Sequence, residues 1–211
     1  MRMSALTLPG ILCLLLWAVR AESQKNTNMN IPIVTSEFEK FDFSDYEKRK
    51  DGKSPLLPDG TYIQYERESQ RYFMIIQLKD SYFMVLKRFF ANGNIEMKGV
   101  MINSGEARIG IWYTYNADGK LISQENMDQS FRFSFEKLFD LLKKEGIKLT
   151  MGHFNGGFHT RIDKAVDKDG PRWVVQWLKD TSVMPNIIED LTIDGRSGKI
   201  LKREKVKYFN N

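Results

Sequence analysis

The chain is poor in the residues that carry covalent and metal chemistry. Its 211 residues hold one cysteine, Cys13, and two histidines, His153 and His159. Cys13 lies inside the one long apolar run, so residues 22–211 contain no thiol. That stretch can form no disulfide, offers no thiol nucleophile and has no thiolate for a metal. It also lacks a Gly-x-Ser-x-Gly elbow, and the Gly-rich stretch 152–157 is no phosphate loop, since it lacks the Gly-Lys-Ser/Thr ending. The net charge of +5 is small and dispersed, which argues against nucleic acid as a partner.

What is present begins at the N-terminus. Met1-Arg2-Met3 carries a positive charge, and an apolar run from Ala5 to Ala18 follows. Val19-Arg20-Ala21 then places Val and Ala where a signal peptidase reads, and the polar Glu22-Ser23-Gln24 begins at once. This order predicts a secretory signal peptide over residues 1–21, cleaved between Ala21 and Glu22. The competing reading is an uncleaved anchor, but the run falls short of the roughly 20 residues a bilayer span needs. A lipobox wants a small residue before its cysteine, and Leu12 precedes Cys13. The leader holds Arg2 and Arg20 and no acid, so the exported chain would carry +3. No later stretch is apolar for long enough to span a membrane, so no integral membrane segment is expected after cleavage. A cysteine-free exported chain suits a bacterial periplasm or the extracellular space.

The remainder divides by pattern. Residues 22–58 read as an extended lead-in: polar at 24–30, mixed aromatic and charged at 36–46, charged and loop-like at 47–54. Pro58-Asp59-Gly60 signals a turn. Over 59–130, runs rich in Tyr, Phe, Ile, Val and Trp predict strands at 61–66, 71–78, 82–90, 94–98, 110–115 and 120–126. Asn92-Gly93 and Asp118-Gly119 predict tight hairpins with positive φ at both central residues. Over 131–211, Phe135, Leu138, Phe139 and Leu142 fall at i, i+3, i+4 and i+7, one helical stripe. Ser134 can cap this helix and Gly146 can end it. Strands follow at 172–178, 187–193 and 199–208. The fold class is α+β, mostly an antiparallel β-meander, with one main helix packed on a C-terminal sheet.

Two stretches carry resemblances. Phe89-Phe-Ala-Asn-Gly-Asn-Ile95 aligns with Tyr115-Asn-Ala-Asp-Gly-Lys-Leu121 as aromatic, x, Ala, Asn/Asp, Gly, polar, aliphatic. Over residues 87–128 this resembles MORN-type repeat variants, which implies β-hairpin units with glycine at each turn. A plain meander with two similar hairpins is the alternative. Trp173-Val-Val-Gln-Trp177 followed by Leu191-Thr-Ile-Asp-Gly-Arg-Ser-Gly-Lys-Ile-Leu201 resembles the end of a PepSY-type domain, over residues 131–205. That resemblance implies a non-catalytic module linked to peptidase inhibition or extracellular binding. The segment Gly152-His-Phe-Asn-Gly-Gly-Phe-His159 departs from its pattern.

Candidate chemistry is sparse. His153 and His159 lack further ligands at a recognised spacing, and Glu189-Asp190 is an adjacent acid pair of the kind usually left solvated. No catalytic residue, metal ligand, metal or cofactor is expected. Aromatic residues are the better candidates: Trp112, Tyr113 and Tyr115 lie on one strand, with Tyr113 and Tyr115 on one face and Trp112 on the other. One face must be core, and the other could offer a platform. The expected function is an exported, non-enzymatic binding protein with a protein or peptide partner, an inhibitor or immunity-type protein acting in the envelope. The alternative is a secreted hydrolase using a carboxylate or histidine.

Overall fold

The computed structural model describes residues 29–52, 56–154 and 156–208. The leader over 1–21 and Asn155 lie outside the described residues.

Among the described residues, ten strands form two antiparallel sheets. The first is a meander in sequence order: β1 (Tyr62–Glu68), β2 (Arg71–Gln77), β3 (Phe83–Phe89), β4 (Ile95–Ile102), β5 (Arg108–Tyr115) and β6 (Leu121–Asn126). The second runs β10-β9-β8-β7, from β7 (Arg161–Asp167), β8 (Gly170–Asp180), β9 (Asn186–Asp194) and β10 (Ile200–Tyr208). The fold is thus α+β in the broad sense and mostly β.

The β3–β4 and β5–β6 hairpin turns of the first sheet share one construction. In the turn 90–94, the Phe90 N–H donates to Asn94 O and the Gly93 N–H donates to Phe90 O, both at 2.9 Å. The turn 116–120 repeats this, with Asn116 to Lys120 at 3.0 Å and Gly119 to Asn116 at 2.9 Å. Just before β1, Leu57 to Thr61 and Gly60 to Leu57 repeat the pattern, at 2.8 and 2.9 Å. The glycines have φ of 80°, 87° and 83°, while Asn92 and Asp118 are not in that region. The expected two-residue turn with two positive φ values is therefore replaced. A type I turn closes on a glycine in the left-handed region, a three-residue loop with its bulge. The register shifts at Arg88/Phe89 and Thr114/Tyr115 mark a second irregularity in each hairpin, beyond the turn, where Glu96 and Ile122 are the extra residues.

The lead-in is not extended throughout. α1 (Phe43–Arg49) begins at Asp42, whose carboxylate accepts the Asp45 N–H at 2.9 Å, and Arg49 closes an i,i+4 ion pair on Asp45 at 2.8 Å. A short helix held by local pairs thus spans the end of the mixed segment and residues 47–49 of the run read as a loop. Before it, the Phe41 N–H donates to Gly93 O (2.7 Å) and the Ile95 N–H to Glu39 O (3.0 Å), tying the lead-in to β4. Phe41 then fills a ring cluster with Tyr46, Tyr65, Tyr72 and Phe89, at centroid distances of 4.6 to 5.6 Å. Lys98, wholly buried, is reached by Glu39 Oε1 at 2.6 Å and by the Glu37 carbonyl at 2.5 Å.

α2 (Phe135–Lys144) buries the stripe Phe135, Leu138, Phe139 and Leu142. Its end is a Schellman closure: the Ile147 N–H donates to Leu142 O and the Gly146 N–H to Lys143 O, with Gly146 at φ 74°. Ser134 sits at the N-cap, but its side chain makes no capping hydrogen bond. The stripe belongs to one cluster with Phe83, Val100, Ile102 and Ile109 of the first sheet and Trp173, Val175, Leu191 and Ile193 of the second. Its ring contacts run to Phe83, at 5.5 Å from Phe135 and 5.9 Å from Phe139. One core therefore serves both sheets.

Candidate functional site

The three aromatic candidates separate. Trp112 is 2 % exposed; its Nε1–H donates to Val100 O at 3.1 Å, and Met97 and Met101 share its cluster. The Arg108 guanidinium lies 4.3 Å from the ring centroid and closes the outer side. Tyr115 is equally buried, in the ring cluster around Phe41; burial and the nearby Glu39 raise its hydroxyl pKa. Trp112 and Tyr115 are therefore core residues, and neither offers an exposed platform. Tyr113 is half-buried and opens into a cavity.

That cavity holds about 300 Å³. Its walls are the lead-in at Ile31–Val34, β5 at Ile109, Ile111 and Tyr113, and Phe135 at the start of α2. Gly110 shapes it: φ of 64° bends β5, and its N–H donates to Asp128 Oδ2 at 2.7 Å. Asp128, the one acid on the wall, is paired with Lys164. Lys164 is itself sandwiched near Phe131 (4.6 Å) and Trp173 (4.9 Å), and burial lowers its pKa against the pull of Asp128. The wall charge is thereby met from within the protein, leaving an apolar cavity. Its rim is apolar and open: Ile31 is 43 %, Ile111 40 % and Ile33 90 % exposed. A larger cleft, about 590 Å³, lies beside Met29, between Phe139 of α2, Tyr82 and the segment 147–151, with Asp140, Lys143 and Lys148 at its edge.

The other candidates have structural positions. His153 stacks on Tyr62 with centroids 3.3 Å apart, and its Nδ1 lies 3.1 Å from Gln77 Oε1; an amide oxygen only accepts, so Nδ1 carries the proton. Gln77 bonds Asn103, whose Nδ2 donates to Gly152 O at 2.5 Å, and the Gly152 N–H donates to Ser81 O at 2.9 Å. His153 thus pins the Gly-rich segment to the first sheet. His159 contacts Phe154, and burial lowers its pKa, helped by His153. Glu189 and Asp190 are neighbours on β9, so their side chains leave opposite faces. Glu189 is 3 % exposed and accepts from Trp177 Nε1 (3.1 Å) and Arg203 (3.2 Å); Asp190 accepts from Gln176 Nε2 (2.9 Å). That pair cannot flank one bond in a substrate. Among the described residues no group of three or more His, Cys, Asp or Glu could hold a metal ion, and no helix is long and apolar enough to cross a membrane.

Sequence reasoning did not single out Ile31, Ile33 and Ile111. The available signal was Ile31-Pro-Ile-Val34, an apolar run in a polar lead-in. Comparison with family models, curated proteins and solved structures gives no match to this chain.

Proposed function

We propose that the chain is an exported, non-enzymatic binding protein, acting in the periplasm or outside the cell. Its partner is another protein, held where an apolar side chain of that partner enters the groove between Ile33 and Tyr113. The observation that carries this reading is Ile33. An isoleucine 90 % exposed at the mouth of an apolar cavity, beside two further exposed isoleucines, leaves apolar surface in water that a partner would bury. The leader-like N-terminus and the thiol-free remainder support export. The resemblances to MORN-type and PepSY-type modules lean toward binding, and toward an inhibitor or immunity role against another envelope protein.

Site-specific crosslinking tests this. A photoreactive residue at Ile33, in cells that make the protein naturally, should give one discrete adduct. The same residue at Lys137 on the outer side of α2 should give none, and Ile111→Asp should abolish the Ile33 adduct. An adduct indifferent to Ile111→Asp, or none at all, would remove the support for this groove.

A further inference from the structure

The two edges of the second sheet are finished differently. At β7 a turn of the first sheet covers the edge. The Ile162 N–H donates to Ser104 O (3.1 Å), the Ala107 N–H donates to Ile162 O (3.3 Å), and the Glu106 N–H reaches Asp163 Oδ1 at 2.6 Å. Gly105 permits the approach, because a Cβ there would overlap the Ile162 carbonyl.

β10 has no such cover among the described residues. It is the outermost strand, it pairs only with β9, and residues 201–207 are all exposed. One side of a nine-residue strand therefore offers its unpaired N–H and C=O groups to solvent. Its side chains are mainly cationic: Lys202, Arg203, Lys205 and Lys207 against Glu204. Glu204 pairs with Lys202 at 2.7 Å, and Arg203 is engaged by Glu145 and Glu189. Lys205 and Lys207 form no ion pair among the described residues, and they stand opposite Glu189 and Ile187 of β9, on one face. Leu201 and Val206 are each about half exposed, at 49 % and 48 %.

Charge decides what can add to this edge. Two copies of β10 side by side would set lysine against lysine, so self-pairing is disfavoured. The same charge attracts an acidic strand, both in encounter and in register. We propose that β10 is a docking edge for an extended acidic segment of another protein, which joins the sheet by main-chain pairing. Its carboxylates meet Lys205 and Lys207, and its apolar residues meet Leu201 and Val206. The edge is separate from the groove at Ile33, and either can fail without the other.

The probe is a labelled peptide of about ten residues alternating Glu and Val, with a Lys-Val peptide as control. Fluorescence anisotropy should show binding of the acidic peptide alone, weakening with salt. Amide hydrogen exchange should slow along β10. The double variant Lys205→Glu, Lys207→Glu, checked for fold by circular dichroism, should bind about tenfold more weakly or worse and should gain affinity for the Lys-Val peptide. A peptide N-methylated at alternate residues should lose binding, since it cannot pair its backbone. Equal binding of both peptides, equal binding by the double variant, undiminished binding of the N-methylated peptide, or protection away from β10 would each overturn the proposal.

Discussion

Trp112 lies over Gly99, and a Cβ on that glycine would fall inside the indole's van der Waals envelope. The contact arises from a bulge. Between the pairs Lys98↔Tyr113 and Val100↔Ile109, β5 sets Gly110, Ile111 and Trp112 against Gly99 alone. Gly99→Ala must push the ring out of its place between Met97 and Met101. The expected cost is about 1–3 kcal/mol, read as a lower urea midpoint with a changed tryptophan emission.

Phe43 and Phe38 of the lead-in sit over the turn glycines. A Cβ on Gly93 would meet the Phe43 ring at 2.9 Å, and one on Gly119 would overlap the Phe38 ring. Both glycines also have positive φ. Gly93→Val and Gly119→Val should each destabilise by about 1–3 kcal/mol, from backbone strain and displaced aromatic packing together. Unchanged denaturation midpoints in both would contradict the turn geometry.

Leu138 is wholly buried on the inner stripe of α2, while Lys137 points outward. Leu138→Ala should cost roughly 2–5 kcal/mol, and Lys137→Ala should stay within about 0.5 kcal/mol. Equilibrium unfolding of the two variants measures the difference.

Glu39 links stability to pH. Burial tends to raise its pKa, but hydrogen bonds from Lys87 and Lys98 and their charges outweigh that and hold it below its ordinary value of 4.5. A lowered folded-state pKa contributes stability above the unfolded value, and that contribution fades as pH falls below about 4.5 and through the folded value. Glu39→Gln should therefore destabilise at neutral pH by about 1–3 kcal/mol, since buried Lys98 loses its counter-charge. The gap to wild type should narrow in acid. Thermal unfolding of both proteins across pH 3–7 would show a constant gap if the account is wrong.

The first sheet was legible because its strands are dense in aromatic and β-branched residues and its turns carry Asn-Gly and Asp-Gly. α2 was legible from one four-residue stripe. β7 was not, because Arg161-Ile-Asp-Lys-Ala-Val-Asp167 buries only Ile162 and is held by the turn at Ser104–Ala107, some 55 residues earlier. α1 was missed because it buries nothing, and its signal was the Asp42 cap with the Asp45–Arg49 spacing. The groove was out of reach for a related reason: it exists only because residues 31–34 fold back onto β5, and no local pattern encodes that return. The burial of Trp112 likewise depended on a bulge and a glycine on the neighbouring strand.

The central claim is that this chain works by binding through the groove at Ile33 and Tyr113. The most direct measurement is the affinity of the crosslinked partner, once purified, for three folded variants: Ile33→Asp, Tyr113→Ala, and the double His153→Ala, His159→Ala. Ile33→Asp and Tyr113→Ala should each weaken the complex by about tenfold or more, because both remove apolar contact at the cavity mouth. The double histidine variant should bind as wild type does, because His153 anchors its own loop and His159 rests on Phe154. Full affinity in both groove variants, with binding lost in the histidine pair, would contradict the account.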